Sequence, residues 1–178
     1  MTLHRRRFCL LAASPLAPAL GAGASTLAAP NIVPISPLLV TSGQPTALAL
    51  RNLAQLGFDA VLYLAPFTVN GAVREEPSIL QHQGIDFAHV PIPFDAPTED
   101  HFLMASENIL RFKSRRTLVH CQVNMRASSM VFLHRVIVEK ASPAPAYEAV
   151  SKVWSPHGPW MSLLKQQLRK HQIDFEPF

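Results

Sequence analysis

Short, uniformly apolar runs alternate along this chain with longer segments in which apolar residues recur every three or four positions. The uniform runs are DAVLYLA (59–65), IDFAHVP (85–91) and TLVHC (117–121), bounded by Gly, Pro or charged residues. That length and those flanks predict buried strands, with 85–91 read as a second central strand. The residues from Asn31 to Val40 are apolar but broken by proline, which predicts an edge strand or an extended lead-in.

The periodic segments predict helices. One opens at the turn Ser42-Gly43-Gln44-Pro45-Thr46, carries Leu48, Leu50, Leu53, Ala54 and Leu56, and stops at Gly57. A loop around Asn70-Gly71 leads to a short helix from about Glu75 to Gln83, ended by Gly84. Thr98-Glu99-Asp100 caps a helix to about Lys113, with Phe102, Leu103, Ile109, Leu110 and Phe112 as its expected buried stripe. A strongly apolar helix is expected from Ala127 to Lys140, including Met130, Val131, Leu133, Val136, Ile137 and Val138. His134 and Arg135 interrupt that run, so it reads as a central helix rather than a membrane span. Two more helices fit between Pro145 and His171, on either side of the turn from Trp154 to Pro159.

Helix following strand throughout implies a mostly parallel sheet with helices on both faces, hence one α/β domain. A length of 178 residues, 48% of them hydrophobic and 16% charged, suits a single core. The first 24 residues stand apart. They have a basic start, an apolar middle broken by Ser14, Pro15 and Pro18, and Ala22-Gly23-Ala24 before Ser25. Residues 1–24 therefore read as an export signal, twin-arginine-like at Arg5-Arg6, with a periplasmic destination expected. Residues 25–37 are a lead-in and 38–178 the domain.

Removing Arg5, Arg6 and Arg7 leaves 13 basic residues against 12 acidic ones, so the exported chain has no basic excess to recommend a nucleic-acid partner. No membrane partner is expected after signal removal. Of two cysteines, Cys9 leaves with the signal and Cys121 remains alone, which makes an intramolecular disulfide impossible. The remaining histidines show no metal-ligand spacing with Cys121 or the acids, so neither a metal nor a cofactor is expected.

Cys121 falls where the TLVHC strand should emerge, at the carboxyl end of a parallel sheet where α/β ligand sites lie. The residues after it open a helix, whose free N–H groups and dipole favour a thiolate and an adjacent oxyanion. Arg126, five positions on, adds a planar fork of donors suited to two phosphate oxygens. Trp154 and Trp160 read as packing residues.

The stretch His120-Cys121 through Arg126, at a strand-loop-helix junction, resembles the signature of the cysteine-dependent protein tyrosine phosphatase superfamily. That signature has five residues between cysteine and arginine; here there are four, Gln122, Val123, Asn124 and Met125, with Ser128 following one position late. The short spacing, with Ser42-Gly43-Gln44-Pro45, is similar to a bacterial phosphatase-like branch related to the β-lactamase-hydrolase-like proteins. The resemblance implies a protein-tyrosine-phosphatase-like fold and a phosphorylated substrate. It also implies attack by Cys121 to form a phosphocysteine, with Arg126 and the residues 122–125 holding the phosphate oxygens.

An aspartate on another loop would protonate the leaving group, and Asp95 in PIPFDAP is the choice, ahead of Asp100. Ser128 would hydrogen-bond the sulfur, and His120 would orient the loop. The shorter loop has no glycine, which leaves Asn124 to take a positive φ. Six-residue cysteine loops also occur in rhodanese-type sulfurtransferases, so sulfur transfer through a Cys121 persulfide is the alternative chemistry. An inactive anion-binding module is the other.

Overall fold

The computed structural model describes residues 27–178, and the export-signal reading of residues 1–24 lies outside them. Five strands form one sheet: β1 (Val33–Ser36), β2 (Leu39–Ser42), β3 (Ala60–Tyr63), β4 (Asp86–His89) and β5 (Thr117–His120). Their order is β1-β2-β5-β3-β4, with β1 antiparallel to β2 and every other neighbouring pair parallel. Six helices accompany them: α1 (Ala47–Arg51), α2 (Glu76–Gln81), α3 (Glu99–Arg111), α4 (Met125–Ile137), α5 (Pro143–Ser151) and α6 (Gly158–Lys170). The expected fold, one α/β domain with a mostly parallel sheet and helices on both faces, is the one observed.

Alternation along the strands divides the core in two. Leu39, Ala60, Leu62 and Val119 join the larger cluster, with Phe102, Ile109, Met130, Leu133, Tyr147, Trp160 and Leu164 from α3 to α6. Val40, Val61 and Leu118 join the smaller one, with Leu50, Leu53 and Leu80 from the α1 and α2 region. α4 crosses the middle of the larger layer and is buried on nearly every side, which accounts for its all-round apolar composition. His134, buried near its end, bonds Ser106 of α3 through Nδ1 at 2.7 Å, and burial pushes its pKa below the usual histidine range.

Several expectations need correction. The Asn31–Val40 segment does supply an edge strand, β1, but it is not one extended piece: a tight turn at residues 37–38 folds it into the β1–β2 hairpin, so packed structure begins within the lead-in, before residue 38. The 85–91 strand is an edge rather than a central strand, because the chain adds β4 outside β3. On α3, Phe102, Ile109 and the capping Phe112 are buried, but Leu103 and Leu110 are about half exposed, since one face of the helix packs on the sheet and α4. Val138, expected within the apolar helix, instead caps the end of α4 and is partly exposed. α4 itself starts at Met125, two residues earlier than the sequence pattern suggests.

Leu118 is fully buried at the centre of the middle strand, facing the α1 and α2 layer. Leu118→Ala is expected to lower unfolding stability by about 2–5 kcal/mol, read in urea denaturation as a lower midpoint with an unchanged slope.

Candidate functional site

The carboxyl edge of the sheet is where the expected site residues converge. Parallel register sets Ser42, His120 and Tyr63 side by side across β2, β5 and β3, and the chain leaves β5 at Cys121. Cys121 is a free thiol with no exposed surface, its backbone N–H bonded to Ser42 O at 3.3 Å.

From there only Gln122, Val123 and Asn124 separate the sulfur-bearing residue from the first turn of α4. Asn124 sits at φ 74°, the left-handed conformation that the glycine-free loop was expected to demand of it. The loop's carbonyls are engaged: Gln122 O accepts from Gln44 N (3.0 Å), Val123 O from Asn31 Nδ2 (3.0 Å), Asn124 O from Ser128 N (2.9 Å) and Met125 O from Ser128 Oγ (3.2 Å). Because Ser128 N makes the first helical bond, the N–H groups of Met125, Arg126 and Ala127 have no partner inside the helix, which leaves donors and a positive dipole end beside the cysteine. Ser128 turns its hydroxyl to Met125 O, so its expected bond to the sulfur is not made.

Arg126 is nearly fully buried. Its Nε donates to Ile92 O at 2.9 Å, and its guanidinium carbon lies 5.0 Å from the centre of the Phe94 ring. That fixes the plane of the guanidinium and leaves the two terminal nitrogens as the fork. Phe94 is itself held by Trp160, whose indole N–H donates to Phe94 O at 2.7 Å, and by ring contacts with Trp154 and Trp160. The two tryptophans are packing residues, and what they pack is the segment against Arg126. Asp95 follows Phe94 in an exposed turn and makes no hydrogen bond or ion pair among the described residues. Asp100 lies in the first turn of α3, beside its Thr98 cap.

One residue that sequence reasoning passed over, Glu76, is the partner of the histidine that precedes the cysteine. His120 Nε2 is 2.6 Å from Glu76 Oε1, and Gln44 Nε2 donates to Glu76 Oε2 at 2.9 Å. Both His120 and Glu76 are completely buried, and the His120 ring stacks on Tyr63 at 4.7 Å. Burial, with the Glu76 and Cys121 charges nearby, pushes the Tyr63 phenol well above its ordinary pKa. Glu76 gave no signal, because an acid in a first helical turn after Arg74-Glu75 reads as solvated. The histidine beside the cysteine was the one hint that a buried acid was needed.

Gly43 explains the Ser-Gly-Gln-Pro turn. A Cβ there would stand 3.0 Å from Gln122 O, from Pro30 Cβ and from Val123 Cα, so only glycine lets these three segments meet. Among the described residues no group of three or more His, Cys, Asp or Glu side chains converges to hold a metal ion. No helix among them is long and apolar enough to cross a membrane.

No family model matches the chain, and no curated protein matches it by sequence. Solved structures do match its fold. A DUF442 protein from Shewanella putrefaciens CN-32 superposes with a TM-score of 0.72 at 23% identity, over 80% of this chain and 92% of its own. Tk-PTP in its active form gives 0.65 at 22% identity, over 79% and 98%. The core catalytic domain of the PP-IP phosphatase SIW14 from S. cerevisiae gives 0.63 at 16% identity, over 86% and 100%. At these identities the likeness is one of fold, the protein-tyrosine-phosphatase-like α/β fold.

The buried Glu76–His120 pair carries a stability consequence. Glu76→Leu strips a buried imidazole of its partner and is expected to lower stability by about 3–5 kcal/mol, whereas Glu76→Gln, which keeps an acceptor, should lose less. Urea denaturation of the two variants side by side checks this.

Proposed function

We propose that this protein is a cysteine-dependent phosphatase, hydrolysing phosphomonoesters through a covalent phosphocysteine. The observation that carries the reading is the junction of β5 and α4: a free thiol at a parallel strand end, a helix start, and a buried arginine five residues on with no acidic partner among the described residues. A thiolate there meets the N–H groups and dipole that stabilise it and an incoming dianion together. Support also comes from the fold's neighbours that carry phosphatase names, SIW14 and the kinase associated phosphatase among them. For the narrower bacterial branch related to β-lactamase-hydrolase-like proteins, the support is the four-residue spacing and the Ser42–Pro45 turn that packs on the loop.

The Cys121 thiolate attacks phosphorus, and an S–P bond forms as the P–O bond to the leaving group breaks. Arg126 and the loop amides of residues 122–126 hold the non-bridging oxygens. Asp95 delivers its proton to the departing oxygen. Its carboxylate then takes a proton from the water that hydrolyses the phosphocysteine, which returns phosphate and the thiolate. What favours Asp95 is its turn: Phe94 immediately before it lies on the Arg126 guanidinium, so the turn borders the anion pocket. The substrate is a phosphorylated protein or small molecule, met outside the cytoplasm if residues 1–24 act as an export signal.

Cys121→Ser should abolish hydrolysis of p-nitrophenyl phosphate, and rapid-quench mass spectrometry of the wild type should find phosphate on Cys121. A persulfide on Cys121 after thiosulfate treatment, with no phosphocysteine after the ester, would replace this reading with sulfur transfer. A protein that binds phosphate but forms neither adduct would be a binding module.

Asp95→Asn should slow phenyl phosphate, whose leaving group needs a proton, by about 10²-fold or more while slowing a strongly activated aryl ester far less. Equal slowing of both esters removes Asp95 from the acid role.

A further inference from the structure

The residues that precede β1 do more than lead into the fold. Gly43 N donates to Pro30 O at 2.7 Å and Thr46 N to Ala28 O at 3.4 Å, so residues 28–30 lie along the turn between β2 and α1. The next residue, Asn31, reaches the cysteine loop itself in both directions. Its side-chain Nδ2 donates to Val123 O at 3.0 Å, and its backbone O accepts from Asn124 Nδ2 at 2.6 Å. The second hydrogen of the Asn124 amide goes to Thr41 Oγ1 at 3.0 Å, so both donors of that side chain are used. Asn31 itself stands at φ 47°, a left-handed conformation that asparagine tolerates and that aims its amide at the loop.

The loop has a particular need for this. Its turn depends on a non-glycine residue at φ 74°, a conformation that persists only when its surroundings hold it. A glycine there would adopt the turn unaided. Asn124 brings a side chain that can be tied down, and the ties run to Asn31 and Thr41.

We propose that Asn31 is a positioning residue for the anion-binding loop. The segment Ala28–Asn31 acts as a clasp that locks Val123 and Asn124 in the shape that presents the loop amides to a phosphate. This rests on the reading of residues 121–126 as the phosphate loop. It adds that a segment some ninety residues away in sequence sets that loop's geometry.

Asn31→Gly tests it in the full chain, because glycine keeps the backbone conformation and the carbonyl acceptor while deleting only the side-chain donor to Val123. Hydrogen exchange of the 122–126 amides should accelerate about tenfold, with the melting temperature changed by only a few degrees. The kcat for an aryl phosphate should fall about tenfold with KM changed less than about threefold, as for a misaligned reacting group. In a double-mutant cycle, Asn31→Gly should add little in an Asn124→Gly background, where glycine adopts the turn without the ties. Wild-type exchange and kcat in Asn31→Gly, or effects of the two substitutions that simply add, would overturn the clasp. A wild-type protein that hydrolyses no phosphoester defeats the phosphatase reading alone, and the exchange measurement still decides the clasp.

Discussion

Between the last residue of β5 and the first turn of α4 the chain has to change from extended to helical within four residues, beneath other structure and without a glycine. Asn124 meets this constraint by taking the left-handed conformation, and much of the surrounding architecture follows from holding it there. The engaged carbonyls of residues 122–125, the helix start with its unpaired N–H groups, and the position of Arg126 one residue into α4 all depend on that turn.

Behind the loop lies a polar layer in an otherwise apolar edge of the sheet. Register brings Ser42, His120 and Tyr63 abreast, and α2 lowers Glu76 onto His120 while the β2–α1 turn supplies Gln44. A buried carboxylate needs partners, and here an imidazole and a carboxamide take one oxygen each. The aromatic side of the site has a separate support. Trp160 and Trp154 hold Phe94, and Phe94 holds the plane of Arg126. The cysteine's strand end and the guanidinium are thus braced from opposite layers, one by hydrogen bonds, the other by ring contacts.

The parts of this molecule readable in the sequence were those with a local cause. Strand runs such as 59–65 and 117–121 and the cap at Thr98 declare themselves within a few residues, and so does the demand on Asn124, because a short loop without glycine has few candidates. Strand order was not readable, since nothing in IDFAHVP distinguishes an edge from a centre when helix α2 covers one of its faces. Leu103 and Leu110 misled because apolar spacing on α3 is wider than the face that packs. Glu76, Asn31 and Gly43 were hidden for a common reason: each has its meaning only through a contact with residues 44 to 92 positions away or more, which no local pattern encodes. The preference of Ser128 for Met125 O over the sulfur is likewise a matter of local helix geometry that spacing alone left open.

The hydrogen bonds between Asn31 and residues 123 and 124 span separations of 92 and 93 residues, with all five strands of the sheet between them in sequence. The sheet between them brings these distant residues close, which removes most of the loop entropy such contacts would otherwise cost. The order of the cysteine loop is thereby tied to whether the beginning of the domain has found its place against the rest.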